Sequence, residues 1–380
     1  MHVGLNLVFL VPGQTGGMEI YARELIPRMV AAAPGDRFTA FINREAAAAG
    51  GPWGELIEAV TVPVRAANRI EWVRGEQQLL PRLAARAGVD LVHSLASTAP
   101  AWGAFRRVVT IHDLIYRTVP EAHPGLRSLG MRVLVPLAAR RSDRIIVDAA
   151  TTRDDLQRWE GIGPEKVDVV PLGVGTTRRV PPLPESEIRR RLNAGERPVV
   201  LSVSAKLAHK NLIRLIGAVA GIPADARPLL VLPGYATPHE ADLRARIAQL
   251  GIGDDVRLLG WVPAEELEGL YAAAAAFVFP SLAEGFGLPV LEAMVRGVPV
   301  ACSGRGALAE VAGPAALTFD PLSEPEIAGA IVTLITDRDR AARLAAAGRE
   351  RASAFSWTAT ADGTLAAYHR ALAAPRRRRR

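Results

Sequence analysis

Cysteine is all but missing from this chain. Cys302 is the single one among 380 residues, which excludes an intramolecular disulfide framework and a cysteine-rich metal site. No apolar run reaches the roughly eighteen residues of a membrane-spanning helix. The opening MHVGLNLVFLVPG lacks the basic start and small-residue cleavage site of a signal peptide and reads as a strand. A cytoplasmic location is therefore expected, with the inner face of the membrane as an option. Net charge is +7, and five of those charges are Arg376–Arg380, which leaves +2 for the body. A body so nearly neutral gives no electrostatic case for binding nucleic acid. The arginine tail follows Pro375 and should be disordered; adhesion to anionic lipid head groups and a solvated terminus both stay open for it. The dinucleotide fingerprint G-x-G-x-x-G is also absent.

What is present is alternation. The length suggests two or three domains, and 49% hydrophobic with 22% charged residues is ordinary for soluble globular protein. In the first half, short apolar runs at Val3–Val11, Phe38–Ile42, Ala59–Pro63, Leu91–His93, Val108–His112, Arg144–Val147 and Val167–Val170 read as strands. Longer periodic segments near Met18–Ala33, Ile70–Ala87, Leu126–Arg141 and Ala149–Trp159 read as helices. That grammar predicts a doubly wound parallel sheet, whose ligands collect beyond the carboxyl ends of the strands. At those ends lie a loop containing Gly16 and Gly17, then His93, and then His112 followed by Asp113. The Gly-Gly pair is equally what a tight turn with positive φ requires. A histidine at a strand end is commonly structural. The segment His123–Arg144 mixes leucines with five arginines; it fits a basic amphipathic helix on a membrane surface or a helix packed on the sheet.

Pro171–Arg197, with four prolines and no clean period, reads as a linker with a short helix near Glu185–Leu192. The second half repeats the grammar, with strands at Pro198–Val203, Leu229–Leu232, Val256–Leu259, Phe277–Phe279 and Val298–Ala301, then helices Glu324–Thr336, Asp339–Phe355 and Trp357–Ala373. Asp337-Arg338-Asp339 falls between two helices, where aspartates cap. The densest stretch is Phe277–Val300, FVFPSLAEGFGLPVLEAMVRGVPV. A strand ends at Pro280, a loop with two glycines follows, and Leu288-Pro289 opens a helix. Such a turn aims backbone N–H groups and a helix dipole at a phosphate. Glu284 lies in the loop and Glu292 one turn into the helix.

EGFGLPVLEA, with seven residues between Glu284 and Glu292, resembles the signature of retaining glycosyltransferases of family 4. The resemblance implies the α/β GT-B fold: two Rossmann-like doubly wound parallel-sheet domains facing a cleft, with the C-terminal helix crossing back. Its boundaries here would be 1–174 for the acceptor-side domain, 175–197 for the linker, 198–356 for the nucleotide-sugar domain, 357–374 for the crossover helix and 375–380 for the basic tail. It implies a nucleotide diphosphate sugar donor, GDP- or UDP-linked, and a hydroxyl of a polysaccharide or lipid-linked acceptor, with mannose and GDP slightly preferred. Glu292 would bind the donor ribose, Glu284 the transferring sugar, and Gly285, Phe286, Gly287 and Leu288 the diphosphate through their N–H groups. Lys210 matches the family's phosphate lysine. The family's nearby arginine is replaced by Ala205, and Lys206 beside it is the expected substitute, a point charge rather than a fork. Gly16 and Gly17 would close over donor and acceptor. His112 would orient or stabilise the reacting site, with His93 and Asp113 on the acceptor side. No nucleophile is evident, so a front-face mechanism without metal or cofactor is expected. An epimerase or phosphorylase of the same fold, and a non-enzymatic membrane adaptor, are the alternatives.

Overall fold

The computed structural model describes residues 1–50, 55–119, 126–175 and 180–375. Two compact units divide the chain: one gathers Met1–Arg117, Gly125–Gly173 and the last segment from Ser356, and the other holds Val174–Phe355.

The first unit is built on a seven-stranded sheet: β1 (His2–Leu7), β2 (Arg37–Ile42), β3 (Glu58–Thr61), β4 (Leu91–Ser94), β5 (Arg106–Thr110), β6 (Arg144–Val147) and β7 (Val167–Val169). Their order is β3-β2-β1-β4-β5-β6-β7, with every pairing parallel. Parallel pairing requires crossovers, and helices covering both faces explain why the inner strands β1 and β4 are buried along almost their whole length, while β3 (EAVT) and β7 (VDV) at the sheet edges are more polar and less buried. The helix Leu126–Arg141 packs Val135, Ala138 and Ala139 against Val109 and Ile145 of the sheet, while Arg132, Arg140 and Arg141 are exposed. The segment expected to be one helix from Ile70 to Ala87 is interrupted: Arg69–Arg74 and Leu80–Ala87 are α-helical, and Gly75–Leu79 between them is a π turn. The helix Trp357–Ala373 is capped by the Ser356 hydroxyl, which accepts the Ala359 N–H at 3.1 Å, and it packs against helix Gly17–Ala32 and against β5 and β6.

The second unit repeats the pattern with β8 (Val199–Leu201), β9 (Leu229–Leu232), β10 (Val256–Leu258), β11 (Ala274–Phe279), β12 (Val300–Ser303) and β13 (Leu317–Phe319). The order is β10-β9-β8-β11-β12-β13, again parallel. Helices Leu212–Ala220 and Glu324–Thr336 close one face over Val200, Leu230, Val278 and Ala301. β13 was not anticipated. Asp337 caps the helix Arg338–Ser353, its carboxylate accepting the Arg340 N–H at 2.9 Å. Among the described residues no helix is long and apolar enough to cross a membrane. The tail Arg376–Arg380 lies outside the described residues.

In each sheet the order in which successive strands are added reverses once, between β1 and β4 in the first and between β8 and β11 in the second. Crossovers leave such a point on opposite faces, which opens a crevice at the carboxyl ends of the two central strands.

Candidate active site

In the second unit the two strands at the reversal deliver the motif residues. β8 runs into the loop that carries Lys210, and β11 runs through Pro280 into the loop that carries Glu284. The Lys210 ammonium donates to Glu284 Oε1 at 2.6 Å and lies 5.3 Å over the Phe279 ring. Asn211 follows in the left-handed region (φ 59°), and its buried amide donates to the Pro280 carbonyl at 3.0 Å and to the Pro321 carbonyl at 2.7 Å. One side chain thereby fixes the ends of β8, β11 and β13 together.

Gly287 precedes the helix Leu288–Val295 with φ 109°, and a Cβ there would stand 2.5 Å from Leu308. Phe286 is buried edge-on against Phe355, with ring centroids 5.7 Å apart. The loop is thus anchored from below. The helix that starts at Leu288 puts the positive end of its dipole at the same place. Within its first turn Pro289 carries no N–H and the Val290 N–H donates to the Gly287 carbonyl at 3.0 Å, which leaves the Leu288 N–H as the donor at the helix start. Glu292 sits one turn in, and its Oε2 accepts the Tyr271 hydroxyl at 3.3 Å. Burial raises the Glu292 carboxyl above its ordinary value, with Arg296 and Tyr271 opposing. Arg296 lies 4.5 Å over the Tyr271 ring and pairs with Glu268, so the support beneath Glu292 is itself held. At the ends of β9 and β10, Trp261 is 70% exposed and stacks on Tyr235 with centroids 4.6 Å apart.

Lys206 is placed differently from expectation. Its ammonium is fully buried and donates to the carbonyls of Gly234 at 2.7 Å and Leu259 at 2.5 Å, with Glu240 Oε2 at 3.5 Å. Burial lowers its pKa and Glu240 opposes. Three acceptors for the three ammonium donors draw the side chain inward, where it ties the ends of β8, β9 and β10 together. It presents no charge to a phosphate there.

In the first unit, β1 leads into the glycine loop. Gly16 has φ 62° and ψ −132° and caps helix Gly17–Ala32; Cβ atoms at Gly16 and Gly17 would meet nothing within 4 Å among the described residues. The Gly13 N–H donates to Glu19 Oε2 at 2.7 Å, so the loop is held by the helix it opens. His112 lies just beyond β5. Its Nδ1 stands 2.7 Å from Asp148 Oδ2, and its Nε2 stands 2.9 Å from the Leu95 carbonyl. Tyr21 meets the imidazole edge-on at 5.0 Å. Asp113 accepts the Ile115 N–H at 3.0 Å and starts the short helix that follows.

His93 is fully buried, with Nδ1 at 2.7 Å from the Tyr368 hydroxyl and Nε2 at 2.8 Å from Thr110 Oγ1. Burial pushes its pKa down to about 3, and His112 adds to the shift. Both nitrogens are engaged inside the fold, so His93 has no atom to offer an acceptor in this arrangement. Thr110 also meets the Tyr21 hydroxyl at 3.1 Å, which joins Tyr21, Thr110, His93 and Tyr368 into one buried polar row beneath His112. No sequence pattern announced that row or Asp148, because its members come from residues 21, 93, 110 and 368. Among the described residues there is no group of three or more His, Cys, Asp or Glu side chains placed to hold a metal ion.

Residues 184–351 match the family described as glycosyl transferases group 1, and residues 15–178 match glycosyltransferase family 4. The O-antigen chain mannosyltransferase B of Escherichia coli is 31% identical over 268 residues, which is 69% of this chain and 70% of that protein. A GDP-mannose-dependent alpha-(1-6)-phosphatidylinositol monomannoside mannosyltransferase of Mycobacterium tuberculosis is 30% identical over 67% of each chain. Sucrose-phosphate synthase from Thermosynechococcus elongatus superposes with a TM-score of 0.78 at 24% identity, covering 97% of this chain and 98% of its own. The chain belongs to glycosyltransferase family 4 and is a glycosyltransferase of GT-B fold.

Proposed function

We propose that this enzyme transfers mannose from GDP-mannose to a hydroxyl of a polysaccharide or lipid-linked glycan, with retention at the anomeric carbon and without a metal. The observation that carries this reading is the Lys210–Glu284 contact at the point where the strand order of one sheet reverses, with the helix that starts at Leu288 and carries Glu292 following directly from the Glu284 loop. A carboxylate accepts two hydrogen bonds from a vicinal diol, which suits Glu292 to the donor ribose. Glu284 holds hydroxyls of the transferring sugar. Lys210 and the N–H groups of Gly285–Leu288 neutralise the diphosphate as it leaves, which is the work a divalent cation would otherwise do. Gly16 and Gly17 take the donor phosphates and acceptor against the open side of their loop. His112 and Asp113 stand on the acceptor side, while Lys206 and His93 are omitted because both are spent inside the fold. The names of the two mannosyltransferase relatives favour mannose, and the second favours GDP and a lipid-linked acceptor.

A thermal-shift screen against nucleotide sugars tests the reading, because a donor that binds only the folded state raises Tm by mass action. GDP-mannose should raise Tm most, and Glu292→Ala should weaken that binding by about 1.5–3 kcal/mol, the usual worth of hydrogen bonds to a charged group. No shift with any nucleotide sugar overturns it. Consumption of the donor without an acceptor would favour the epimerase reading. The exposed Arg132, Arg140 and Arg141 extend the reading to contact with an anionic membrane surface, tested by co-sedimentation with anionic and neutral vesicles.

A further inference from the structure

The proton inventory around His112 is set by its neighbours. Nε2 faces the Leu95 carbonyl at 2.9 Å, and a carbonyl only accepts, so Nε2 carries a hydrogen. Nδ1 faces Asp148 Oδ2 at 2.7 Å, so a second proton lies between them. Asp148 is 2% exposed, and its other oxygen, Oδ1, is buried with no hydrogen-bond partner among the described residues. A carboxylate in such a place is costly unless a cation stands beside it, and His112 is the one the strands supply. β5 and β6 are adjacent and parallel, which puts the residues just past their ends side by side. The cationic end of the pair is the more open one, with the His112 side chain 15% exposed and the Asp148 side chain 2%.

We propose that Asp148 is a positioning residue that keeps His112 as a fixed imidazolium, with both N–H groups committed, so that His112 acts in the reaction as a standing positive charge and not as a proton acceptor. The remaining groups facing the imidazole agree with this assignment. Asp113 adds a second negative charge, Tyr21 is a buried neutral phenol, and His93 is held uncharged by burial and by its positive neighbour. Burial alone would lower the His112 pKa; Asp148, Leu95 and Asp113 together raise it above the ordinary histidine value. The catalytic half of the proposal rests on the glycosyl transfer proposed above.

The test uses the full chain with 15N-labelled histidine, followed by NMR through a pH titration without donor. Wild-type His112 should show both ring nitrogens protonated at neutral pH and titrate above the free-imidazole value of about 6.5. Asp148→Asn should bring that titration down, and the alkaline limb of kcat/KM should move to lower pH with it, costing about tenfold for each pH unit it moves at a pH above both limbs. Donor KM should change less than kcat. A His112 that is neutral at pH 7 in the wild type overturns the proposal, and so does an alkaline limb that stays in place while the His112 titration falls. If Asp148→Asn does not fold, the wild-type titration decides alone. Should no nucleotide sugar support transfer while the titration behaves as expected, it is the reaction assignment that fails and the fixed imidazolium that stands.

Discussion

Lys206 and Lys210 are four residues apart and have opposite fates. Lys210 faces Glu284 at the reversal point, whereas Lys206 is buried against two carbonyls. Lys210→Ala should weaken donor binding by about 1.5–3 kcal/mol with little change in Tm. Lys206→Ala should do the reverse: the Gly234 and Leu259 carbonyls lose their donor, so the fold should lose roughly 1–3 kcal/mol while the donor affinity of the folded enzyme holds. Urea unfolding and donor titration on both variants check this. Glu76 contributes to the acid-to-neutral behaviour. It is 2% exposed and accepts from Asn6 Nδ2 at 3.0 Å and from Thr98 Oγ1 at 2.9 Å. Burial raises its pKa from 4.5 to about 7. Between those values the native state binds more protons than the unfolded chain, so stability falls as pH rises through that window, by up to about 3 kcal/mol for the full shift. Unfolding at pH 5 and pH 8 should show the fall in the wild type and a flatter profile in Glu76→Gln.

Among the elements, the turn before helix Leu288–Val295 depends most on a single position. Gly287 combines φ 109° with Leu308 at 2.5 Å from where a Cβ would sit. Gly287→Ala should therefore destabilise by more than the roughly 1 kcal/mol of a simple glycine effect, and it should lower donor affinity by moving the helix start; Tm and nucleotide binding read the two effects separately. That turn was legible in advance because its signals are local: an apolar strand, two glycines, a proline at the helix start and two glutamates at fixed spacing. Most strands were legible for a related reason, since burial in a covered parallel sheet leaves short, mainly apolar runs such as Leu229–Leu232. β13 escaped because Leu317–Phe319 is three residues long with a threonine at its centre. The π turn at Gly75–Leu79 escaped because one extra residue in a helix leaves the apolar period almost intact. Asp148 and the Tyr21–Thr110–His93–Tyr368 row escaped for a deeper reason. Their meaning lies in which strands and helices become neighbours, and no stretch of sequence holds that information. The same blindness made Lys206 look like a phosphate ligand: its residue type suits one, and only the three-dimensional arrangement shows its donors already taken.

For the whole molecule, the charge placed at the Lys210 and Leu288 loops leads to one direct expectation. Activity should survive excess EDTA and gain little from added Mg²⁺ or Mn²⁺, while Lys210→Ala should lose most of it; an enzyme silenced by EDTA and restored by Mn²⁺ would overturn the metal-free reading. The path of the chain has a consequence of another kind. The first unit is left at Gly173 and re-entered only at Ser356, and the returning helix supplies Tyr368, which meets His93, and Trp357, which lies against Gly173. On a ribosome the first seven strands emerge long before that helix exists. The amino-terminal half must therefore wait, with a stripe of its surface uncovered, while a whole second unit is synthesised and free to fold. The order of birth and the order of completion are reversed. Such a chain is most exposed to chaperones and to aggregation through its oldest part, and a stop codon near residue 356 should unravel the beginning of the protein more than its middle.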